Sequence, residues 1–375
     1  MRFPEKTRRR LFLLRRIFLC LLPGLVAVLI ICLGRIDPAK TDAVYSMRIF
    51  PVVSAVIGLP ARVVPFSIVS VLLWSILPLM ICGLIALIVL LRRSQDRFRT
   101  LRRAGAVVLF LLSLIFFFFA ITCAPNFNRL TFAQLSGLEV RGSTRGELAA
   151  LCAELIIRTN EARASVEEQD GIFAVGESFS SLSSRSLAAF NELAADYPFL
   201  KRCAIAPKAM LGSEVLSAVE VTGFYSCFTA EPTVNVHMPD LELPFTMCHE
   251  LAHTGGILRE DEANFIGYLV CVSTDDPAMR YSGLICALNY AMGRLYTADP
   301  QTYLALRAYY AAGVERDLAY SGKYWEKYAN KAPSQAYSAV NDTVLKLNDQ
   351  TDGRQSYGRM VDLLLADYRA RHGLT

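Results

Sequence analysis

Pro244-Phe245-Thr246-Met247-Cys248-His249-Glu250-Leu251-Ala252-His253-Thr254-Gly255-Gly256 is the stretch on which the reading of this chain turns. A proline near its start suits the first turn of a helix, and paired glycines at its end stop one. His249 and His253 stand four residues apart, so on a helix both imidazoles face the same way and can point at one metal ion. Glu250 follows the first histidine, where its carboxylate can reach a water on that ion. Of the four histidines in the chain (His237, His249, His253 and His372), two fall in this motif. The competing account is a helix with a fortuitous pair, in which two histidines beside Leu251 and Ala252 need other buried partners. The spacing predicts a Zn2+ site with Glu250 as general base.

Catalytic zinc usually keeps three protein ligands and leaves one position open. The supply lies just downstream, in Arg259-Glu260-Asp261-Glu262-Ala263-Asn264-Phe265-Ile266-Gly267-Tyr268. Carboxylates at the start of a helix complement its dipole, which accounts for Asp261. Glu260 and Glu262 are both within reach of a chain that reverses at Gly255-Gly256. Two steps of roughly 100° set them about 200° apart around the helix, so only one can face the metal. Glu260 shares its face with Asn264 and Gly267, a polar group and a gap for close approach. Glu262 shares its face with Phe265, Ile266 and Leu269, which read as core. Glu260 is the expected third ligand and Glu262 the alternate. Tyr225 and Tyr281 are further catalytic candidates, because a hydroxyl could donate to a developing oxyanion; each also reads as a packing tyrosine. Arg280 could act similarly or form a salt bridge, and His237 reads as an exposed strand histidine. The strand Thr233-Val234-Asn235-Val236-His237 offers an edge for an extended peptide.

The front of the chain has another character. The 375 residues are 53% hydrophobic and 19% charged, and a typical soluble domain is about 25% charged. The net charge of +5 divides unevenly, with 17 basic and 4 acidic residues in 1–103 against 22 and 30 in the remainder. Positive charge here flanks apolar runs, which argues against nucleic-acid binding. Three runs, at about 17–34, 65–91 and 104–123, approach or exceed the roughly 20 residues that cross a bilayer. No small-residue cleavage site follows Ile31-Cys32-Leu33-Gly34, so the first run reads as an uncleaved anchor. Arg8, Arg9, Arg10, Arg15 and Arg16 precede it, and Arg92, Arg93, Arg97, Arg99, Arg102 and Arg103 fill the connection between the second and third. Basic residues mark cytoplasmic loops, so the amino terminus is expected inside and everything after the third span outside. The segment at about 44–62 is too short to cross once Pro51 and Pro60 are counted, and reads as an interfacial helix.

Residues 1–123 are therefore expected to form a membrane anchor and 124–375 an extracytoplasmic domain. Thr144 with Glu147 forms a capping box that opens a helix to about Arg163. Further helices are expected at about 183–196, 209–219, 277–297, 300–313, 334–348 and 357–371, with strands over Val219–Thr229 and Pro232–Met238. The ten cysteines show no metal-ligand spacing. A disulfide is allowed outside the cytoplasm, and the sequence does not choose the pair.

Glu260-Asp261-Glu262-Ala263-Asn264 resembles the Glu-x-x-Ala-Asp element of gluzincin metallopeptidases, whose first glutamate binds zinc. By that resemblance Glu260 is the ligand, and Asn264 stands where an aspartate orients the first histidine. A neutral amide polarises His249 less. Tyr45-Ser46 to Pro51, Gly223-Phe224-Tyr225-Ser226-Cys227-Phe228-Thr229, the block His249–Gly267, Arg280-Tyr281-Ser282-Gly283 and Ser356-Tyr357-Gly358 together resemble a bacterial multi-pass membrane family, domain of unknown function 3810, with presumed zinc-metallopeptidase-like activity. The expected architecture is an α-helical anchor with three spans, followed by a mostly helical α+β, zincin-like domain. The expected function is a zinc-dependent peptidase acting on peptide or protein substrates at the outer face of a cell membrane, embedded in the lipid bilayer. The alternatives are a non-catalytic, metal-binding envelope module for sensing or binding, and a zinc hydrolase of a non-peptide amide.

Overall fold

The computed structural model describes residues 5–329, 331–347 and 359–374. The chain is mostly helical and divides into two compact units, Met1–Val56 with Ile68–Arg129, and Ile57–Ser67 with Leu130–Thr375.

The first unit is built on three long helices: α1 (Glu5–Ile36), α2 (Ile68–Arg93) and α3 (Arg97–Thr122). The candidate spans within them, Leu14–Ile36, Ile68–Arg93 and Arg97–Thr122, run 23, 26 and 26 residues, enough to cross a hydrocarbon layer at about 1.5 Å per residue. Trp74, Leu77, Leu79 and Met80 on α2 remain exposed; a surface this apolar belongs against lipid. Each of the three expected runs is a helix, and their length and composition point to membrane association. α3 starts earlier than its apolar run because Asp96 Oδ1 caps it, accepting the Arg99 N–H at 2.9 Å.

α1 packs along α3. Gly24 makes that approach possible: its N–H donates to Ser113 Oγ at 2.6 Å, and a Cβ there would meet the same oxygen at 2.9 Å. Small residues and interhelical hydrogen bonds are what join helices in an apolar solvent. The segment expected as one interfacial helix at 44–62 is instead a wide helical stretch, Thr41–Ile49, then Phe50–Ile57, a break at Gly58, and Leu59–Val63. Tyr45 donates to the Ile121 carbonyl at 2.8 Å and Ser46 to Asn126 Oδ1 at 2.7 Å. Buried Arg129 pairs with Asp42 at 2.7 Å. Arg129 is the last residue of the first unit.

The second unit contains α4 (Arg145–Arg163), α5 (Phe179–Asp196), α6 (Leu243–Thr254), α7 (Glu260–Ser273), α8 (Pro277–Ala298), α9 (Ala312–Glu326) and α10 (Met360–His372), with the helix Ala332–Leu347, expected at 334–348, between α9 and α10 and several short helices elsewhere. α4 opens on the expected capping box, with Thr144 Oγ1 accepting the Glu147 N–H at 3.1 Å and Glu147 Oε2 accepting the Thr144 N–H at 2.8 Å. α6 is the central element, packed on α5, α7, β4 and β5, while α8 lies against α4 and α7. A hairpin joins β1 (Glu168–Gln169) to β2 (Ile172–Phe173), and a second sheet orders β3 (Lys208–Ala209), β5 (Glu231–Val234) and β4 (Gly223–Ser226). β5 runs parallel to β3 and antiparallel to β4, with Gly223 opposite Val234 and Tyr225 opposite Pro232.

Three sequence expectations are corrected here. β5 is central and buried, so Thr233 and Val234 offer no open edge; the edge beside α6 belongs to β4. The helix expected at 209–219 shrinks to Glu214–Ala218, because Lys208–Ala209 pairs as a strand. The helix expected at 300–313 stops at Arg307, and α9, which was not expected, follows. The Ser356-Tyr357-Gly358 motif and the start of the helix expected at 357–371 lie outside the described residues.

Two buried ion pairs tie distant parts of this unit together. Lys208 Nζ pairs with Glu231 at 2.9 Å and donates to the carbonyls of Ala61 and Phe66 at 2.6 and 3.0 Å, holding the 57–67 segment. Asp317 on α9 accepts from Arg163 Nε at 2.6 Å, from the Tyr281 hydroxyl at 2.7 Å and from the Phe173 N–H at 2.8 Å. Removing one partner of such a cluster strands the other charges in a medium that solvates them poorly. Asp317→Ala should therefore cost about 3–5 kcal/mol, read as a lowered midpoint in denaturant unfolding of the detergent-solubilised chain. An unchanged midpoint would show that the cluster carries no stability.

Candidate metal centre

α6 begins on the turn Asp240–Glu242 with Pro244 in its first turn. Ser282 fixes that start by accepting the Phe245 N–H at 3.1 Å and donating to the Leu241 carbonyl at 2.6 Å. The other end is set by Gly256, whose φ of +97° is a conformation that favours glycine. The reversal brings the Ile257 carbonyl back to His253 Nδ1 at 2.7 Å. A carbonyl only accepts, so Nδ1 carries the proton and the His253 Nε2 lone pair is free to bind a metal.

That lone pair faces His249 Nε2 at 3.0 Å. The Glu260 carboxylate completes the group, 3.4 Å from His249 Nε2 and 3.7 Å from His253 Nε2. Among the described residues this is the one set of three metal-binding side chains whose ligand atoms lie within 4.8 Å of one another. α7 reaches it through Gly267, where a Cβ would stand 3.2 Å from the His249 backbone nitrogen. The donor set of two imidazoles and a carboxylate suits Zn2+. Zn–N bonds of about 2.0–2.1 Å at a tetrahedral angle separate two nitrogens by about 3.3 Å, close to the spacing found. A metal fits these residues.

Glu250 lies alongside, 3% exposed. Its Oε2 is buried with no hydrogen-bond partner among the described residues. Burial, with the charge of Glu260 added, raises its carboxyl to about 8 against the opposing pull of His249. Burial lowers His253 to about 4, although the Glu260 charge opposes it. For His249 burial also acts downward, but the Glu260 hydrogen bond and the Glu250 charge outweigh it and the pKa rises. Glu260 is raised by burial yet ends below its ordinary value, because both histidines favour its ionised form. Perturbed, mutually dependent titrations of this kind mark functional sites more often than structural ones.

The three carboxylates that open α7 go three ways, as successive steps of about 100° require. Glu260 meets the histidines. Asp261 reaches Arg359 at 3.5 Å. Glu262, the alternate ligand, accepts the Phe132 N–H at 2.8 Å and pairs with Arg259 at 3.0 Å, outside the group. Asn264 borders His249 and favours its charged form, while its amide donates to the Tyr290 hydroxyl at 3.3 Å. The His249 Nδ1 atom is buried without a hydrogen-bond partner among the described residues, so Asn264 does not lock that ring as an aspartate would.

Tyr281 lies elsewhere, its hydroxyl committed to Asp317 and its ring against Phe173. Arg280 lines a separate cleft with Arg158, Glu161 and Asp275. His237 is exposed and contacts the Tyr324 hydroxyl at 2.9 Å. Tyr225 and Gly223 share one face of β4, since alternate strand residues point the same way. Gly223 is the residue that sequence reading missed: a Cβ there would come within 2.7 Å of Glu250 Oε1. The motif Gly-Phe-Tyr-Ser carries no local signal of that contact.

A glutamate that keeps its proton to about pH 8 when folded, against an ordinary value of 4.5, binds more protons in the native state than in the unfolded one. Its contribution to stability is therefore lost as pH rises through that window. In chelator-treated protein, Glu250→Gln should raise the thermal midpoint relative to wild type more at pH 8 than at pH 5. Equal effects at both pH values would show that Glu250 ionises normally.

A family model described as protein of unknown function (DUF3810) matches residues 45–365. No curated protein and no solved structure matches the chain. Since the matched region takes in α2, α3 and the whole His249–Gly267 block, and covers most of the chain, this chain belongs to the DUF3810 family.

Proposed function

We propose that this chain is a membrane-anchored, zinc-dependent peptidase whose second unit is zincin-like and faces away from the cytoplasm. The observation that carries the reading is the convergence of His249, His253 and Glu260 with a buried, unpartnered carboxylate oxygen of Glu250 beside them. His249, His253 and Glu260 would hold the ion, which when bound supplies an acidified water and a Lewis acid for a substrate carbonyl.

The chain's own groups account for the rest. Glu250 Oε2 is the proton acceptor as water attacks and the donor to the departing amine. Its burial keeps the carboxyl pKa near working pH, where a group can both take and return a proton; a nearby cation would draw it lower. Gly223 leaves the space that the Glu250 carboxylate occupies. The open edge of β4 runs past this point and suits an extended peptide, whose backbone would pair with the strand. Tyr225, on the face of β4 that carries Gly223, remains the candidate oxyanion donor. The arginine-rich connection between α2 and α3 supports a cytoplasmic amino terminus and an extracytoplasmic second unit.

Metal content and peptide cleavage, measured together on detergent-purified protein with a quenched peptide library, test the chemistry. Glu260→Ala should lose metal as severely as His249→Ala, whereas Glu262→Ala should keep it. Glu250→Gln should retain metal and lower kcat by about 10²–10⁴-fold, the usual worth of a general acid–base. Gly223→Ala should also lower kcat with metal retained. Cleavage undiminished in Glu250→Gln would reject the mechanism. Orientation has its own test: a reporter active only outside the cytoplasm should work when fused after Thr375 and fail when fused within 93–103. The reverse pattern would move the site to the cytoplasm.

A further inference from the structure

A second polar space lies in the same unit, separate from the metal-binding group. Arg158, Glu161 and Ala162 share one face of α4, since residues three and four apart are neighbours on a helix. Arg280 and Leu284 share a face of α8 for the same reason, and α8 packs along α4. With Asp275, from the connection between α7 and α8, they line a cleft of about 350 Å³. Sites for small molecules occupy about 300–1,000 Å³, so the space suits a small ligand. None of His249, Glu250, His253 and Glu260 lines it.

The charges around this cleft do not satisfy one another. Arg158 is held by groups outside the lining: its Nη1 donates to Glu154 at 3.4 Å and to the Tyr268 hydroxyl at 3.2 Å. Asp276, next to Asp275, caps α8 by accepting the Met279 N–H at 3.0 Å. The Glu161, Asp275 and Arg280 side chains form no ion pair or hydrogen bond among the described residues. Two guanidinium groups and two carboxylates thus border one small space without neutralising each other. A lone solvated charge selects little, but two of each sign around one concavity select a ligand that carries both.

We infer that this cleft binds a short peptide whose two termini are free. The planar guanidinium forks of Arg158 and Arg280 suit its terminal carboxylate. Glu161 and Asp275 suit its terminal ammonium, which only donates. Ala162 and Leu284 supply apolar contact for a small side chain. Arg158 is already fixed by Glu154 and Tyr268, so little ordering cost falls on its contact with the ligand. This binding requires neither a metal ion nor cleavage.

The test is isothermal titration of the full chain with L-alanyl-L-alanine. The detergent-purified protein carries Glu250→Gln, so that no hydrolysis intervenes, and is treated with chelator. Saturable binding is expected, weakened about 10–100-fold by Arg280→Gln, the usual worth of a hydrogen bond to a charged group. Amidating the dipeptide's carboxylate should weaken binding to the chain that keeps Arg280 by a similar factor. As a second variant, Glu161→Gln should weaken binding of the free dipeptide but not of its N-acetylated form. Heat that does not saturate, or binding undiminished in Arg280→Gln, would overturn the site. Binding that appears only when Zn2+ is restored would place the dipeptide at the metal centre and overturn it as well.

Discussion

Gly267 is the point from which the second unit's site is organised. With no side chain there, α7 approaches α6 until a Cβ would stand 3.2 Å from the His249 backbone nitrogen and the same distance from the Phe245 ring. A larger side chain there would hold the helices apart and set Glu260 farther back. Close approach instead lets a carboxylate at the first turn of one helix reach histidines in the last turns of the other. Gly223 does the same on the opposite flank, letting β4 lie against the Glu250 carboxylate. Two missing side chains thus define the space in which the polar groups meet.

Buried charge is handled in two different ways in this unit. Asp317 receives three donors, from Arg163, Tyr281 and Phe173, and Glu231 receives the Lys208 ammonium. Those groups are satisfied, and a satisfied cluster fixes geometry. The group around Glu260 is different. One Glu250 oxygen and one His249 nitrogen have no hydrogen-bond partner among the described residues, two imidazole nitrogens face each other at 3.0 Å, and the pKa values are pushed apart. Unsatisfied polar atoms are costly in a protein interior, and here they stand beside the three side chains that could hold a metal ion.

The first unit obeys another solvent's rules. Its helices keep apolar side chains on their outer surfaces, and contact between α1 and α3 relies on a glycine and a serine hydroxyl. Polar side chains gather instead at one end, where Tyr45, Ser46 and the Arg129–Asp42 pair bind the Thr41–Ile49 stretch. Hydrogen bonds made within the protein in this way suit helices whose outer surfaces are apolar.

The sequence by itself determined the features that depend on local chemistry or on periodicity. Long apolar runs must be helices in lipid, a Thr-x-x-Glu box caps a helix, and His-x-x-x-His on a helix places two imidazoles on one face. Glu260 was separable from Glu262 because helical rotation is fixed at about 100° per residue. Only the tertiary structure decided what depends on non-local contact. β5 is central because Lys208–Ala209, far upstream, pairs with it. α9 carries an amphipathic period that the sequence reading passed over, but only the fold shows that its Asp317 is held by partners on α8, α4 and β2. Gly223 meets Glu250 across 27 positions of chain. Contacts of that kind are set by how elements pack, and side-chain spacing along one strand or helix holds no record of the neighbour it will meet.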